Sequence, residues 1–214
     1  MSTRNEHERR AAKQRHQQGV IFGEEVLGDV AVHVIDEPQS MAAWAKDADG
    51  ERRLAAHLDQ ELPDSATVLH DRRVPKTRGN IDHLVVAPTG VWVIDAKNSA
   101  GRVERRNAGS WRRPEPRLYV KNRDETELVG KMDVQSDAVR AALKPIGFAT
   151  LPVRRCLCFT SADWSSFSRP FTIDDVWIGW PQALTRAMRS NPILGPAEVV
   201  TVAHHLSAEF PASS

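Results

Sequence analysis

Two carboxylates and an amine stand together near one end of a predicted β-hairpin. The stretch NIDHLVVAPTGVWVIDAK, Asn80 to Lys97, contains two runs rich in Val, Ile and Trp, Ile81 to Ala87 and Val91 to Ala96, with Pro88-Thr89-Gly90 between them. Asp82 lies at the start of the first run, and Asp95 and Lys97 at the end of the second, away from the turn. Side chains alternate along a strand, so Asp95 and Lys97 share a face, with Cα atoms roughly 7 Å apart. A turn centred on Pro88-Thr89 sets Asp82 directly opposite Asp95. One centred on Thr89-Gly90 sets it opposite Lys97, and a three-residue loop needs a bulge to restore the match. Like charges across a strand pair are destabilising, more so beside an apolar interior, unless a cation compensates. Hard divalent ions such as Mg²⁺ suit that role, because they take carboxylate oxygens and keep several waters. An Asp-x-Lys tripeptide by itself is ordinarily a solvated ion pair, so the surrounding elements decide what it means.

A helix with Asp49 as its cap precedes the hairpin. Its apolar stripe is Leu54, Ala55, Leu58 and Leu62, and Glu51 begins that stripe in the first turn. A strand, Ala66 to His70, leads through the basic loop Asp71 to Gly79, which carries Arg72, Arg73, Lys76 and Arg78. After Lys97 come Asn98 and a second basic stretch. Eight Lys/Arg between Arg102 and Arg123 face only Glu104 and Glu115 there, with short strands at Arg102-Val103-Glu104 and Arg117 to Lys121. Basic runs of this kind are commonly solvated faces, but beside an acidic metal site they can hold phosphates. Trp111, among these arginines, would either stack on a base or, more commonly, lie beneath arginine stems.

The pattern predicts a helix from Leu128 to Leu143 with Val134, Ala138 and Ala141 or Ala142 inward and Gln135 within it. A strand at Val153 to Thr160 follows, then one at Phe171 to Ile178, and helices at Gln182 to Ser190 and Pro196 to Leu206. Cys156 and Cys158 share a strand face and are expected as core cysteines; a zinc site would need two further ligands, and His204-His205 are the sole candidates. Ahead of the first helix, residues 1–18 are polar and charged and are expected as a frayed helix or an arm, and Gly19 to Ile35 is expected to include a short strand.

The 214 residues are 41% hydrophobic and 27% charged with a net charge of +1, ordinary for a globular protein and no general attractor of polyanions. No apolar run reaches membrane-span length and no signal-peptide pattern opens the chain, so a cytoplasmic location without membrane contact is expected. P-loop and Gly-x-Gly-x-x-Gly patterns are lacking, which argues against nucleotide-driven activity.

Taken together, these pieces resemble the nuclease-related domain, NERD, of the PD-(D/E)XK nuclease superfamily. The pieces are Gly50-Glu51 opening a helix, VLHDR at Val68 to Arg72, NIDHLVV at Asn80 to Val86, GVWVIDAKNSAGRV at Gly90 to Val103, Gln135-Ser136, and LPVRRCLCFTSADW at Leu151 to Trp164. The resemblance implies an α/β, restriction-endonuclease-like core (helix, mixed central β-sheet, helix, strand) over residues 46–180. N-terminal (1–45) and C-terminal helical (181–214) accessory segments would flank it. It matches Glu51 to the acidic residue of the first helix, Asp82 to the "PD" aspartate, Asp95 and Lys97 to the "(D/E)XK" pair, and Gln135 to the later glutamine. Ile81 stands where the superfamily has proline, and Ser99-Ala100 where relatives often have an aromatic residue. The expected activity is DNA phosphodiester hydrolysis with Mg²⁺ or Mn²⁺ held by Asp82, Asp95, the Ala96 carbonyl and Glu51. Arg72, Arg73, Lys76, Arg78, Asn98, Arg102, Arg105, Arg106, Arg112 and Arg113 would contact nucleic acid. The alternative is a catalytically silent nucleic-acid-binding or protein-interaction module on the same fold. Relatives are often fused to DNA-processing modules, so a separate DNA-processing partner is expected; oligomeric state stays open.

Overall fold

The computed structural model describes residues 47–62, 64 and 66–213; the expected N-terminal arm and the strand within Gly19 to Ile35 lie outside these. A mixed sheet of six strands forms the middle layer: β1 (Thr67–Arg73), β2 (Asn80–Ala87), β3 (Gly90–Lys97), β7 (Val153–Phe159), β10 (Val176–Gly179) and β9 (Phe171–Ile173), in that spatial order. β1, β2 and β3 are antiparallel neighbours, while β3 and β7 run parallel, so the chain must cross over between them. The crossover carries a second, smaller sheet and two helices. These are β4 (Gly101–Asn107), β5 (Pro116–Val120), β6 (Arg123–Asp124), α2 (Glu127–Lys131) and α3 (Asp133–Leu143). β8 (Ala162–Asp163) joins the far edge of the small sheet, giving the order β6-β5-β4-β8. This is the restriction-endonuclease-like α/β arrangement expected.

Alternation along β3 divides the core. Val91 and Val93 join the cluster formed with α3, the small sheet and the last helix, α5 (Pro196–Glu209). Trp92, Ile94 and Ala96 join the other cluster, under α1 (residues 47–61) and α4 (Pro181–Arg189). Leu54 and Leu58 of α1, and Leu62 just after it, are fully or almost fully buried there with Cys156 and Cys158, each such leucine contributing about 1.5–3 kcal/mol. Both cysteines are therefore core residues with free thiols. On this face α1 also meets the sheet through polar groups. Asp59 of α1 pairs with His70 Nε2 at 3.0 Å, and His70 Nδ1 lies 2.8 Å from His83 Nδ1. Burial, then the neighbouring His70, pushes the His83 imidazole down to about 3, so it stays neutral.

Several local expectations are corrected. Asp49 does not cap α1, because the helix already includes Asp47; Asp49 instead pairs with Arg52 and Arg53 in the next turn. β1 extends to Arg73, so Arg72 and Arg73 belong to a strand rather than a basic loop. The chain's last residues make that extension possible: Arg73 N–H donates to the Pro211 carbonyl, Ser213 N–H donates to the Asp71 carbonyl, and Ala212 bridges Arg72. An otherwise open sheet edge is thereby covered. The helix expected over Leu128 to Leu143 breaks at Met132 into α2 and α3. Its inward side is Ser136, Val139 and Leu143, with the expected Ala138 and Ala142 packed at its margin, while Val134 is 62% exposed. The strand at Phe171 to Ile178 is two strands, turned at Asp174 and Asp175, both with positive φ. Among the described residues no helix is long and apolar enough to cross a membrane.

One contact decides how α1 seats. A Cβ on Gly50 would lie 2.6 Å from the Asn98 Cβ and 3.1 Å from Thr160 Oγ1, so only glycine lets the first turn of α1 approach the ends of β3 and β7. Gly50→Ala should displace that turn and cost about 1–3 kcal/mol in a denaturant titration, as overpacking does. An unchanged midpoint would show that the turn is not held there.

Candidate active site

The turn between β2 and β3 is centred on Pro88-Thr89, since Ala87 pairs with Gly90 and His83 with Ile94. Carried one pair further, that register sets Asp82 opposite Asp95, the first of the alternatives the sequence left open. At that point the ladder gives way to a side-chain contact, with Ala96 N–H donating to Asp82 Oδ2 at 2.8 Å. On the same strand, Lys97 Nζ lies 2.7 Å from Asp95 Oδ1. The Asp95 and Lys97 side chains keep 18% and 28% of their exposure, enough for a ligand to reach them from the sheet's rim.

Electrostatics mark this corner as under-compensated. Burial, then the Asp95 charge, pushes the Asp82 carboxyl up to about 8, against an ordinary value of 3.8; the Ala96 N–H opposes the shift without overcoming it. Burial alone would lower Lys97, but the charge and hydrogen bond of Asp95, with Asp82 behind it, raise it on balance, so the amine is an ammonium at neutral pH. Glu51 is raised by burial and then by Asp71, Asp47 and Asp95, while Lys97 lowers it. Glu51 thus feels carboxylates from both strands. It does so because the first turn of α1, seated by Gly50, overhangs the rim.

Asp71 is the residue that inspection of the sequence missed. The β1–β2 register pairs His70 with His83 and Arg72 with Ile81, so Asp71 falls in line with Asp82 and Asp95. Its φ of 46° takes it off regular strand geometry, a conformation Asp tolerates better than most residues. Extending the strand through VLHDR and applying the same register arithmetic would have found it; placing Asp71 in a basic loop hid it.

The other expected residues divide. Gln135 Nε2 donates to the Asn80 carbonyl at 2.6 Å, tying α3 to β2 two residues ahead of Asp82. Asn98 is corrected from a nucleic-acid contact to an internal brace: it is buried, it accepts the Ser161 hydroxyl at 2.6 Å, and it packs on Gly50. Arg102 and Arg106 are held by Glu104, and Arg106 also lies over the Tyr119 ring. Lys76, Arg78, Arg105, Arg112 and Arg113 are exposed, and none of the five has a carboxylate partner among the described residues. Arg72 is half-buried, with its Nε lacking a hydrogen-bond partner. Trp111 is not covered by arginine stems as expected: it is 83% exposed, with one face against the Arg112 guanidinium at 4.8 Å.

For a cation, the donor chemistry is that of two carboxylates in contact. No group of three or more His, Cys, Asp or Glu side chains is arranged to hold a metal ion among the described residues. Two carboxylates of this kind are what an ion of the Mg²⁺ type would use, its remaining ligands coming from water or phosphate. The metal-free protein carries a testable sign. With Asp82 at about 8 folded and 3.8 unfolded, the folded state binds more protons between those values. Its stability must then fall as pH rises from about 4 to 8, by roughly a few kcal/mol. Urea titrations in EDTA across that range should show Asp82→Asn losing less stability than the unsubstituted protein; parallel curves would contradict the assignment.

A family model described as the nuclease-related domain, NERD, matches residues 46–160, which is more than half of the chain and includes Glu51, Asp82, Asp95, Lys97 and Gln135. Comparison with curated proteins finds no match, and comparison with solved structures finds none. With its helix, mixed sheet and crossover in the expected order, and with the matched region carrying the acidic corner, the chain belongs to the nuclease-related domain family.

Proposed function

We propose that this nuclease-related domain hydrolyses DNA phosphodiester bonds with the help of Mg²⁺ or Mn²⁺. The observation that carries this reading is the Asp82–Asp95–Lys97 contact at an accessible rim, with Glu51 brought within its field by α1. Asp82 and Asp95 would hold the ion, with the Ala96 carbonyl and Glu51 as further oxygen donors. When bound, the ion supplies Lewis acidity and a lowered pKa for water. Lys97, charged by its carboxylate neighbours, places an ammonium where negative charge develops on a phosphate and can orient the attacking water. A deprotonated Lys97 acting as general base does not follow from these surroundings. Gln135 holds the start of β2 and so positions Asp82. The exposed cations of the β1–β2 loop and of the β4–β5 hairpin supply phosphate contacts whose affinity falls as salt rises.

The incomplete acidic set favours one rival, a module that binds nucleic acid without turnover. A single assay separates the two. Linear, circular and single-stranded DNA are incubated with Mg²⁺, Mn²⁺ or EDTA, using the unsubstituted protein and folded Asp95→Asn and Lys97→Met variants. Product that forms only with metal, and falls by about a hundredfold or more in both variants, is the expected outcome. Binding without product under every condition would select the rival.

A further inference from the structure

Two large aromatic side chains stand out in water among the described residues, Trp111 at 83% and Phe167 at 95% exposure. Both emerge from the same small sheet. Trp111 is at the tip of the β4–β5 hairpin, and Phe167 is on the loop that leaves β8, the neighbour of β4 on its other side. The hairpin tip is built rather than slack. Asn107 Oδ1 accepts the N–H of Gly109 at 3.1 Å and of Glu115 at 2.7 Å, and Ala108 N–H donates to the Glu115 carbonyl at 2.9 Å. A Cβ on Gly109 would meet the Arg113 carbonyl, so the turn closes tightly beneath Trp111. The indole stands out from this turn, largely exposed, with the Arg112 guanidinium over one face. The unpaired charge around it is positive. Arg105, Arg112, Arg113, Lys121 and Arg123 of this hairpin and its exit lack carboxylate partners among the described residues, whereas Arg102, Arg106 and Arg117 are neutralised by Glu104, Glu115 and Asp124.

We propose that the small sheet is a platform for single-stranded nucleic acid, with unpaired bases stacking on Trp111 and Phe167 and phosphates on Arg105, Arg112 and Arg113. Resting on the nuclease reading above, this names its substrate class: a single strand, or a duplex with a single-stranded segment. The preference has a physical origin. A duplex offers phosphates to the cations but keeps its base faces stacked on one another, whereas a single strand offers both, and every base has a π-face. β4 leaves the acidic corner immediately, since Gly101 follows Lys97 by four positions, and its length spaces Trp111 from that corner by roughly 20 Å of strand. A strand bound on the platform is thereby led to the rim where Asp95 and Lys97 are open.

The test is fluorescence anisotropy in EDTA, where binding is read without cleavage, using a labelled oligothymidylate and a hairpin duplex with the same number of phosphates. The unsubstituted protein should favour the oligothymidylate. Trp111→Ala should weaken that binding by about tenfold or more while leaving the duplex unchanged, and Trp111→Phe should keep most of it. Equal affinity for both probes, an equal effect of Trp111→Ala on both, or no binding to either would overturn the proposal, the last leaving these aromatics to a protein partner. A measurement without variants covers the case of a misfolded substitution. Irradiation of a 5-bromouracil oligonucleotide bound to the unsubstituted protein should attach it at Trp111 or Phe167, and attachment elsewhere would overturn the platform. Adding Mn²⁺ to the same samples separates the two ideas. Single-strand preference without product retains the platform and removes the nuclease, whereas cleavage of both probes at one rate, unaffected by Trp111→Ala, does the reverse.

Discussion

Two carboxylates facing each other across the β2–β3 pair are the constraint around which this protein is arranged. Asp82 and Asp95 would repel if both were charged, and burial at the sheet's edge makes that repulsion stronger than in water. The fold answers with an Ala96 N–H on the Asp82 carboxyl, the Lys97 ammonium on Asp95 and a proton retained by Asp82. None of these removes the cost fully, as the position of Asp82 at about 8 shows. A corner kept in that condition costs the fold stability, as groups held for function commonly do.

The remaining architecture serves to hold the corner and leave it open. β3 is central, paired with β2 as far as Ile94 and with the parallel β7 through Asp95 and Lys97, so β7 holds the backbone of both site residues. α1 buries its leucines on the opposite face and reaches the rim only through its first turn, where Gly50 allows the approach and Asn98 receives it. Residues after Pro181 share in the same layers: α4 joins the cluster under α1, and α5 joins the one with α3 and the small sheet. The final residues cover the edge of β1, and that extension draws Asp71 into line with the other two aspartates.

The hairpin and its acidic end were legible because strand alternation and a short punctuated turn carry strong local information. The choice of turn was not. Gly90, with φ of 117°, is demanded by the chain leading into β7, since a Cβ there would lie 2.6 Å from the Pro152 carbonyl oxygen. A glycine that serves a tertiary contact looks, in sequence, like part of the turn. The face of α3 is legible in part, since Ala138 and Ala142 do pack on the core while Val134 does not. Ser136 is buried, with its hydroxyl returned to the Asp133 carbonyl, so the inward stripe contains a residue that pattern analysis scores as polar. Asn98 misled in the same way, as a polar side chain next to a basic run that turns inward. Asp71 was hidden because the contacts that lengthen β1 come from the other end of the chain.

The central claim is that the Asp82–Asp95 pair is a cation site completed by phosphate. Calorimetric titration of Mn²⁺ into the protein with a non-cleavable phosphorothioate oligonucleotide bound, near pH 7 and in two buffers of different ionisation heat, tests it most directly. A saturating heat that differs between the buffers is expected, because the ion must displace the proton that Asp82 retains near pH 7, and Asp95→Asn should abolish it. A folded protein giving no heat, or the same heat in the variant, would contradict the claim.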